Sequence, residues 1–325
     1  MKRSLYLAAA IALTSPAIAS AAVDLKLLKV QVLLDRAGFA PGVIDGKGGQ
    51  SLTAALRGFQ EARGLSVTGK PDAATLNALG ANKPFPATRR IAIGKADAAG
   101  PFAPVPKEPA DQAKMSSLGY AALSEKLAER FHTTPATLAA LNPAGTRLRA
   151  GAVVNFPNVL PASRAYDAKL KDDWKATLSS LNVSASQPEA EKVVVDKSEG
   201  VLKVYGKGGK LVAQFPATMG SEHDPLPIGS WTIKGASYNP TFHYNPDLFW
   251  DAKSSDEKAK LPAGPNSPVG VVWLDLSKEH YGIHGTPNPE KIGRTESHGC
   301  IRLANWDAAR LSLMVKPGTP AIFQE

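Results

Sequence analysis

Two hydrophobic periodicities divide this chain. Over 24–80, apolar residues recur every three or four positions in three stretches separated by turn residues, which predicts three short helices. From Lys192 onward the apolar runs are short, rich in β-branched residues and bounded by turn residues, which predicts strands. One more helical pattern follows Asn305. The patterning therefore predicts a multidomain fold, with a small three-helix N-terminal module and a mostly-β domain over 192–325.

Three segments join these two parts. Residues 83–114 are rich in proline and poor in large apolar side chains, which predicts an extended linker that holds the module of 22–82 apart from the β domain. Residues 115–160 contain two helical patterns and then a strand-like run, which predicts a short α/β piece. Residues 161–191 carry apolar side chains at helical spacing, which predicts a connecting amphipathic helix.

The first residues have the pattern of a secretory signal peptide over 1–21. Lys2 and Arg3 precede a short apolar run, and Ala19-Ser20-Ala21 supplies a cleavage pattern. The run is too short to span a membrane as a helix. We therefore expect an exported protein without a transmembrane segment. A retained N-terminal anchor is the alternative.

Composition narrows the choice of partner. Lys and Arg number 38 against 29 Asp and Glu, a formal charge of +9 among 325 residues. Charged residues make up 21% and hydrophobic residues 43%, which excludes a disordered chain. The positive charge favours a partner rich in carboxylates. Nucleic acid is not expected as the partner of an exported chain.

The candidate chemistry lies around Cys300, the one cysteine in the sequence. A secreted chain with one cysteine forms no internal disulfide, so its thiol is intermolecular, inert or reactive. His284 lies sixteen residues before Cys300, and His298 two residues before it. An imidazole beside a thiol can take its proton and so activate the nucleophile. The flanking glycines Gly285 and Gly299 allow backbone N–H groups to approach a reacting carbonyl.

Alternatives to a catalytic thiol stay open on the residues alone. An inert cysteine usually lies in an apolar run, unlike Cys300. A zinc site would have suitable ligand types in His280, His284, His298 and Cys300, but Gly282 disfavours a helix that carries two of them. We expect no metal site and no cofactor. His298 is the alternative base.

The motif itself is distinctive. His284-Gly285, followed by the run from Ser297 to Arg302 with sequence Ser-His-Gly-Cys-Ile-Arg, resembles the L,D-transpeptidase catalytic domain of the YkuD family. The run Pro-Ala-Gly-Pro-Asn at 262–266 is similar to that of the Gram-negative periplasmic branch of this family.

The resemblance implies a role for each residue of the motif. Cys300 would be the nucleophile and His284 the base, oriented by the carbonyl of Gly285. Backbone N–H groups of the turn would hold the oxyanion, and two side chains would bind substrate. The turn residues are His298, Gly299 and Cys300, and the substrate-binding residues are Arg302 and Ser297.

Two further resemblances concern the preceding segments. Residues 22–82 resemble the peptidoglycan-binding-1 family, on a pattern that includes Gly38, Gly42, Ile44-Asp45-Gly46 and Phe59-Gln60. Residues 115–160 resemble a degenerate LysM module, which lacks the usual first strand and its Gly-Asp-Thr-Leu turn. Wall binding is expected of the first segment, and a binding or a spacer role of the second.

Together the resemblances imply a periplasmic, wall-associated enzyme of peptidoglycan biosynthesis. It would form a thioester on Cys300 with a tetrapeptide stem and pass the acyl group to an amine of a second stem or of a wall-anchored protein. Carbapenem β-lactams would be inhibitors. With water as acceptor, the same nucleophile would make an L,D-carboxypeptidase or a cross-link hydrolase. A non-catalytic wall-binding protein is the hypothesis from another class.

Overall fold

The computed structural model of the protein describes residues 22–250 and 252–325, so the predicted signal peptide at 1–21 lies outside the described residues. Within the described part, no helix combines the length and apolarity needed to cross a membrane. The α-helices are α1 (Leu25–Arg36), α2 (Gln50–Ala62), α3 (Ala73–Ala78), α4 (Lys95–Ala98), α5 (Pro109–Gln112), α6 (Leu123–Arg130), α7 (Pro135–Ala140), α8 (Asp172–Ser180) and α9 (Asn305–Ser312). The strands are β1 (Thr88–Ala92), β2 (Val153–Pro157), β3 (Lys192–Asp196), β4 (Val201–Gly206), β5 (Lys210–Pro216), β6 (Thr218–Met219), β7 (Gly229–Tyr238), β8 (Phe242–Tyr244), β9 (Ala259–Leu261), β10 (Val272–Leu276), β11 (Gly282–His284), β12 (Ile301–Arg302) and β13 (Pro320–Gln324).

The N-terminal module consists of α1, α2 and α3, as the periodicity predicts. Asp24 caps α1 by accepting from the N–H groups of Lys26 and Leu27, and Asp72 caps α3 by accepting from that of Thr75. The apolar faces of α1 and α2 meet in a small core. That core also contains Leu211 of β5, so it is shared with the C-terminal domain.

The module is docked on the edge strand β5 of the large sheet. The N–H of Ala40 donates to the carbonyl of Gln214 at 2.8 Å, and the N–H of Gln214 donates to Gly38 at 3.0 Å. The Gln214 side chain donates to the carbonyl of Ala54 at 2.8 Å, in space left free by Gly58. The expectation of a module held apart by a tether is therefore wrong, because an open sheet edge offers unpaired backbone groups that the module satisfies.

The segment 83–114 contains regular structure and is not an extended linker. Strand β1 pairs antiparallel with β2, from Thr88 opposite Pro157 to Ala92 opposite Val153. Ile93, directly after β1, is buried in a core shared with α6, α7 and β2. The prolines lie outside β1, so an average composition over the segment conceals a strand of five residues.

Strands β1 and β2 and helices α6 and α7 form one unit, which we call the accessory unit. Its second helix begins at the predicted place, where Thr134 accepts from the N–H of Thr137. Its first strand comes from residues that the sequence assigned to the linker. The similarity of this unit to LysM stays a prediction.

The connecting helix is shorter than the spacing predicts. Helix α8 begins at Asp172, and the earlier apolar residues Tyr166 and Leu170 pack against the core from irregular backbone. The Asp167 carboxylate accepts from the N–H of Lys169 at 2.8 Å. Such a local bond competes with helical hydrogen bonding and ends the pattern there.

The C-terminal domain is mostly β, as predicted. Its sheet has the order β5-β4-β3-β13-β7-β10-β11-β12-β6, with β13-β3 and β11-β12 parallel and the other pairs antiparallel. Strand β7 joins the two halves, since its residues 229–232 pair with β13 and 233–238 with β10. Helix α9 is buried along its whole length, with Trp306 in the centre of the core. The short strands β6, β8, β9, β11 and β12 were not predicted.

Candidate active site

Parallel strands β11 and β12 bring the two halves of the motif together. Ile283 pairs with Ile301 and His284 with Arg302. Both isoleucines are fully buried in the core. Since alternate residues of a strand share a face, His284 and Arg302 lie on the opposite face, together with Cys300 just before β12. His284 and Cys300, sixteen residues apart in the chain, thus lie on or directly beside neighbouring strands.

The Cys300 thiol contacts the turn that precedes β11. Its Sγ lies 3.8 Å from the carbonyl oxygen of His280, to which it donates. Burial raises the pKa of Cys300, while the N–H of Gly282 and the charge of Arg302 act in the opposite direction. The resting thiol is therefore protonated at neutral pH, and it needs a base to become a nucleophile.

His284 has the protonation state that such a base requires. Its Nδ1 lies 2.7 Å from the carbonyl oxygen of Gly285. Because a carbonyl only accepts, Nδ1 carries the hydrogen and Nε2 keeps its lone pair. Burial, and then the positive charge of Arg302, lower the pKa of His284 to about 4. The imidazole is neutral at pH 7 and can take a proton.

Trp273 covers the imidazole, and sequence reasoning missed it. It pairs with His284 across β10 and β11, and the two rings stack at 5.3 Å with 15° between their planes. A side chain at Gly282 would meet the indole at 2.4 Å, so the glycine makes room for the ring. The signal was present in the alternation of β10. Buried Val272, Leu274 and Leu276 leave the other face of that strand to Trp273.

The substrate-binding role expected of Ser297 stays a prediction, since its side chain is bonded within the protein. Its side chain is buried, donates to the carbonyl of Cys300 at 2.7 Å and accepts from the N–H of Gly220 at 2.7 Å. Both hydrogen-bonding capacities are thus used inside the protein. Ser297 holds the Cys300 turn against β6 and the residues after it.

The turn before Cys300 depends on Gly299. This residue has a φ of +87°, and a Cβ on it would lie 2.6 Å from the ring of Tyr281. Only glycine suits both conditions. Tyr281 is a second residue to which the sequence analysis gave no role. Its ring packs against the turn whose N–H groups are the expected oxyanion donors.

His298 and Arg302 flank Cys300 in the chain, each at a distance of two residues. The His298 ring meets the edge of Phe249 at 4.8 Å and lies 6.0 Å from Trp250, which is 55% exposed. Arg302 donates to the carbonyl of Glu296 at 3.3 Å. The guanidinium charge acts on both Cys300 and His284, so it favours the thiolate that forms during reaction.

The zinc alternative finds no support among the described residues. They contain no group of three or more His, Cys, Asp or Glu side chains arranged to hold a metal ion. His280 meets Cys300 through its main-chain carbonyl, while its ring lies 3.6 Å from Glu279.

Two family models match parts of this chain. Residues 190–323 match the family model YkuD, the L,D-transpeptidase catalytic domain, and residues 26–79 match PG_binding_1, described as "Putative peptidoglycan binding domain". The chain therefore contains a catalytic domain of a cysteine transpeptidase family, preceded by an N-terminal domain of the peptidoglycan-binding class.

Similar proteins cover part of the chain. "Putative L,D-transpeptidase YkuD" of Bacillus licheniformis is 32% identical over 128 residues, which are 39% of this chain and 62% of that protein. "Probable L,D-transpeptidase YbiS" of Escherichia coli K12 is 34% identical over 139 residues, 41% of this chain and 44% of that protein. A solved L,D-transpeptidase from Mycobacterium smegmatis shares 25% identity at a TM-score of 0.34, over 41% of this chain and 58% of that one. The match spans less than two thirds of each of these proteins.

Proposed function

We propose that this protein is a periplasmic L,D-transpeptidase that joins peptidoglycan stems through an acyl-enzyme on Cys300. The observation that carries the proposal is the hydrogen bond from His284 Nδ1 to the Gly285 carbonyl. It leaves Nε2 as a proton acceptor on the strand beside the thiol.

Acylation would begin with transfer of the thiol proton to Nε2 of His284. The Cys300 sulfur then attacks the carbonyl of the diamino acid in a tetrapeptide stem, and the terminal D-alanine leaves with the proton from the imidazolium. The thioester that remains keeps the stem on the enzyme. Backbone N–H groups at Gly299 and its neighbours would stabilise the oxyanion of the tetrahedral intermediate.

Deacylation reverses the proton path. An amine of a second stem, or of a wall-anchored protein, attacks the thioester and gives a proton to His284. The Cys300 sulfur leaves as the thiolate and takes that proton from the imidazolium. We place the acceptor beside His298, whose ring lies 6.0 Å from that of exposed Trp250.

The substrate's charge suits the protein's. Stem peptides carry carboxylates, and the chain has a formal charge of +9. Arg302, beside the thiol, would pair with a carboxylate of the donor stem. The peptidoglycan-binding domain at 26–79 supports a location at the wall, and the signal-peptide pattern at 1–21 supports export.

Incubation of the purified protein with disaccharide-tetrapeptides, followed by mass analysis, tests the proposal. A dimer that has lost one D-alanine supports transpeptidation. A tripeptide monomer would instead show that water is the acceptor, as in an L,D-carboxypeptidase. Unchanged tetrapeptide with folded protein would favour a wall-binding role without catalysis. Cys300→Ala is the control and should give no product.

A further inference from the structure

The peptide that orients His284 packs against a buried side chain, Asn305. The Asn305 Oδ1 accepts from the N–H of Val271 at 3.2 Å. A Cβ on Gly285 would lie 2.1 Å from that oxygen, and one on Gly270 would lie 2.0 Å from it. The amide therefore fills space that two glycines leave free, directly against the residue whose carbonyl binds the imidazole.

The other end of this amide reaches out of the catalytic domain. Asn305 Nδ2 donates to the carboxylate of Glu129 at 2.7 Å and to the carbonyl of Pro265 at 3.0 Å. Glu129 belongs to α6 of the accessory unit, and it is 8% exposed. Its second carboxylate oxygen accepts from the hydroxyl of Tyr120. Both carboxylate oxygens of Glu129 thus accept a hydrogen bond, and one of these bonds comes from Asn305, which packs against Gly285.

The accessory unit is anchored at this place by the segment before α6. The N–H of Leu118 donates to Ala263 at 2.9 Å, and that of Asn266 donates to Leu118 at 2.9 Å. The Asn266 side chain donates to the Glu125 carboxylate at 2.8 Å. The two backbone bonds place α6 against the loop that also supplies the Pro265 carbonyl.

We propose that Glu129 is a positioning residue for the catalytic base: it fixes the Asn305 amide, which supports the Gly285 peptide that orients His284. The inference rests on the proposed function, since it assigns a further residue to the same site. The accessory unit is then part of the catalytic apparatus, although the match to the catalytic family begins only at residue 190.

Substitutions at Glu129 separate positioning from general support. Glu129→Ala leaves the Asn305 amide without one acceptor, so the Gly285 peptide and the imidazole lose their fixed geometry. Small misplacements of catalytic groups cost up to about a hundredfold in rate. We expect the alkylation of Cys300 by iodoacetamide to slow by about tenfold to a hundredfold, with kcat on tetrapeptide reduced equally and KM unchanged.

Glu129→Gln is the conservative variant, because its amide oxygen can accept from Asn305 while its NH₂ donates to Tyr120. It should restore the wild-type rates. Glu125→Ala is the matched control on the same helix, since Glu125 binds the docking loop through Asn266 but does not touch Asn305. It should alkylate at the wild-type rate. If Glu129→Ala fails to fold, Glu129→Asp, which is shorter by one methylene, should show the same slowing.

Three results would overturn the assignment. They are a folded Glu129→Ala protein with wild-type rates, a Glu129→Gln protein as slow as Glu129→Ala, and a Glu125→Ala protein slowed to the same extent. Alkylation needs no peptidoglycan substrate. Alkylation that is fast in the wild type and slow in Glu129→Ala would support the positioning role by itself. If the wild type then left tetrapeptides unchanged, the proposed function would be refuted and the positioning role would stand.

Discussion

At the scale of single residues, the site places an uncharged acid, the Cys300 thiol, near an uncharged base, the His284 imidazole. Burial disfavours both the thiolate of Cys300 and the imidazolium of His284. A resting ion pair is therefore not what the structure holds, and the proton moves only when an electrophile is present. This distinguishes the site from cysteine enzymes in which a strongly depressed thiol pKa prepares the nucleophile.

The two histidines differ in what they can do for the thiol. His284 has a fixed tautomer with Nε2 available, whereas His298 lies among the aromatic side chains of Phe249 and Trp250. We expect His284→Ala to slow acylation by a carbapenem by about 10²–10⁴-fold and His298→Ala to slow it less. Intact-mass analysis over time measures both, with Cys300→Ala as the variant without adduct. Greater damage from His298→Ala would reverse the two roles.

The low pKa of His284 predicts an unusual pH profile. Only the neutral imidazole takes the thiol proton, so the rate falls as pH decreases through the pKa of His284. With that pKa at about 4, alkylation of Cys300 should be independent of pH between about 5 and 7, where an ordinary histidine of pKa ~6.5 would titrate. Stopped-flow alkylation across this range checks the profile. An acid limb with its midpoint near the ordinary value would contradict a buried base.

Trp273 offers a test of why that pKa is low. Its indole covers one face of the His284 ring, so Trp273→Ala should admit water, stabilise the imidazolium and move the acid limb to higher pH. Trp273→Phe keeps an aromatic cover and should stay close to wild type. An unchanged limb in the alanine variant would mean that burial by the rest of the site suffices.

At the scale of elements, β1 shows how a strand can occur in a segment of linker composition. Ile93 follows β1 and is 3% exposed, while Val153 on the partner strand is 52% exposed. Ile93→Ala should lower the free energy of unfolding by about 2–4 kcal/mol, because it leaves a cavity in a packed core. Val153→Ala is the matched control and should have little effect. Chemical denaturation measures both variants. If neither substitution changed the free energy of unfolding, residues 83–114 would behave as a tether.

At the scale of the molecule, a buried charge cluster joins all three parts of the chain. Asp35 of α1 accepts from Arg310 of α9 at 3.3 Å and lies 3.1 Å from Nδ1 of His132 in the accessory unit. His132 is fully buried and stacks on Trp306. Its Nε2 lies 2.8 Å from the carbonyl of Leu181. The three parts therefore share one polar centre.

Removing one partner of this cluster should destabilise the whole molecule. Asp35→Ala leaves the guanidinium of Arg310 buried without its carboxylate, a change that typically costs about 3–5 kcal/mol. Asp24→Ala, which removes only the cap of α1, should cost about 1 kcal/mol. Thermal and chemical unfolding compare the two. Deletion of the N-terminal module also removes Asp35, so it should reduce the stability of the rest of the protein. Weaker binding to peptidoglycan would then not be the sole effect of the deletion.

Asp307, whose carboxylate lies 3.9 Å from Arg310 of this cluster, sets part of the pH dependence of stability. Burial raises the pKa of Asp307 to about 7, against an ordinary value near 4 for an unfolded Asp. The folded state thus binds more protons between these values, and this group's contribution to stability decreases as pH rises from about 4 to 7, by at most about 1.4 kcal/mol per pH unit. Asp307→Asn should remove that slope from the unfolding free energy. A slope that persists in the variant would assign it to other groups, such as Glu129.

Asp35 contributes with the opposite sign. Arg310 and His132 hold its pKa below the ordinary range, in spite of burial. Its stabilisation is therefore complete above about pH 4 and is lost as pH falls further. The summed contribution of these two carboxyls to stability is therefore largest near about pH 4.

Much of the fold and the chemistry was predictable because the signals are local. The periodicities of β3, β4, β5 and β13 depend on residues close in the chain. The motif around Cys300 likewise joins a thiol, imidazoles and glycines whose chemistry follows from their types. Such features need no knowledge of what a segment packs against.

What the tertiary structure alone decided concerns partners distant in the chain. A buried polar residue such as Glu129 shows no periodicity that names Asn305, 176 residues away. Nor does an average composition show that β1 finds β2 or that the residues around Phe39 cover the edge at β5. The sequence by itself determined which residues are the candidates for the chemistry and which segments bury an apolar face. The tertiary structure decided which of these residues and segments contact each other. The physical reason is that a hydrophobic pattern shows that a side chain is buried but not which residues bury it.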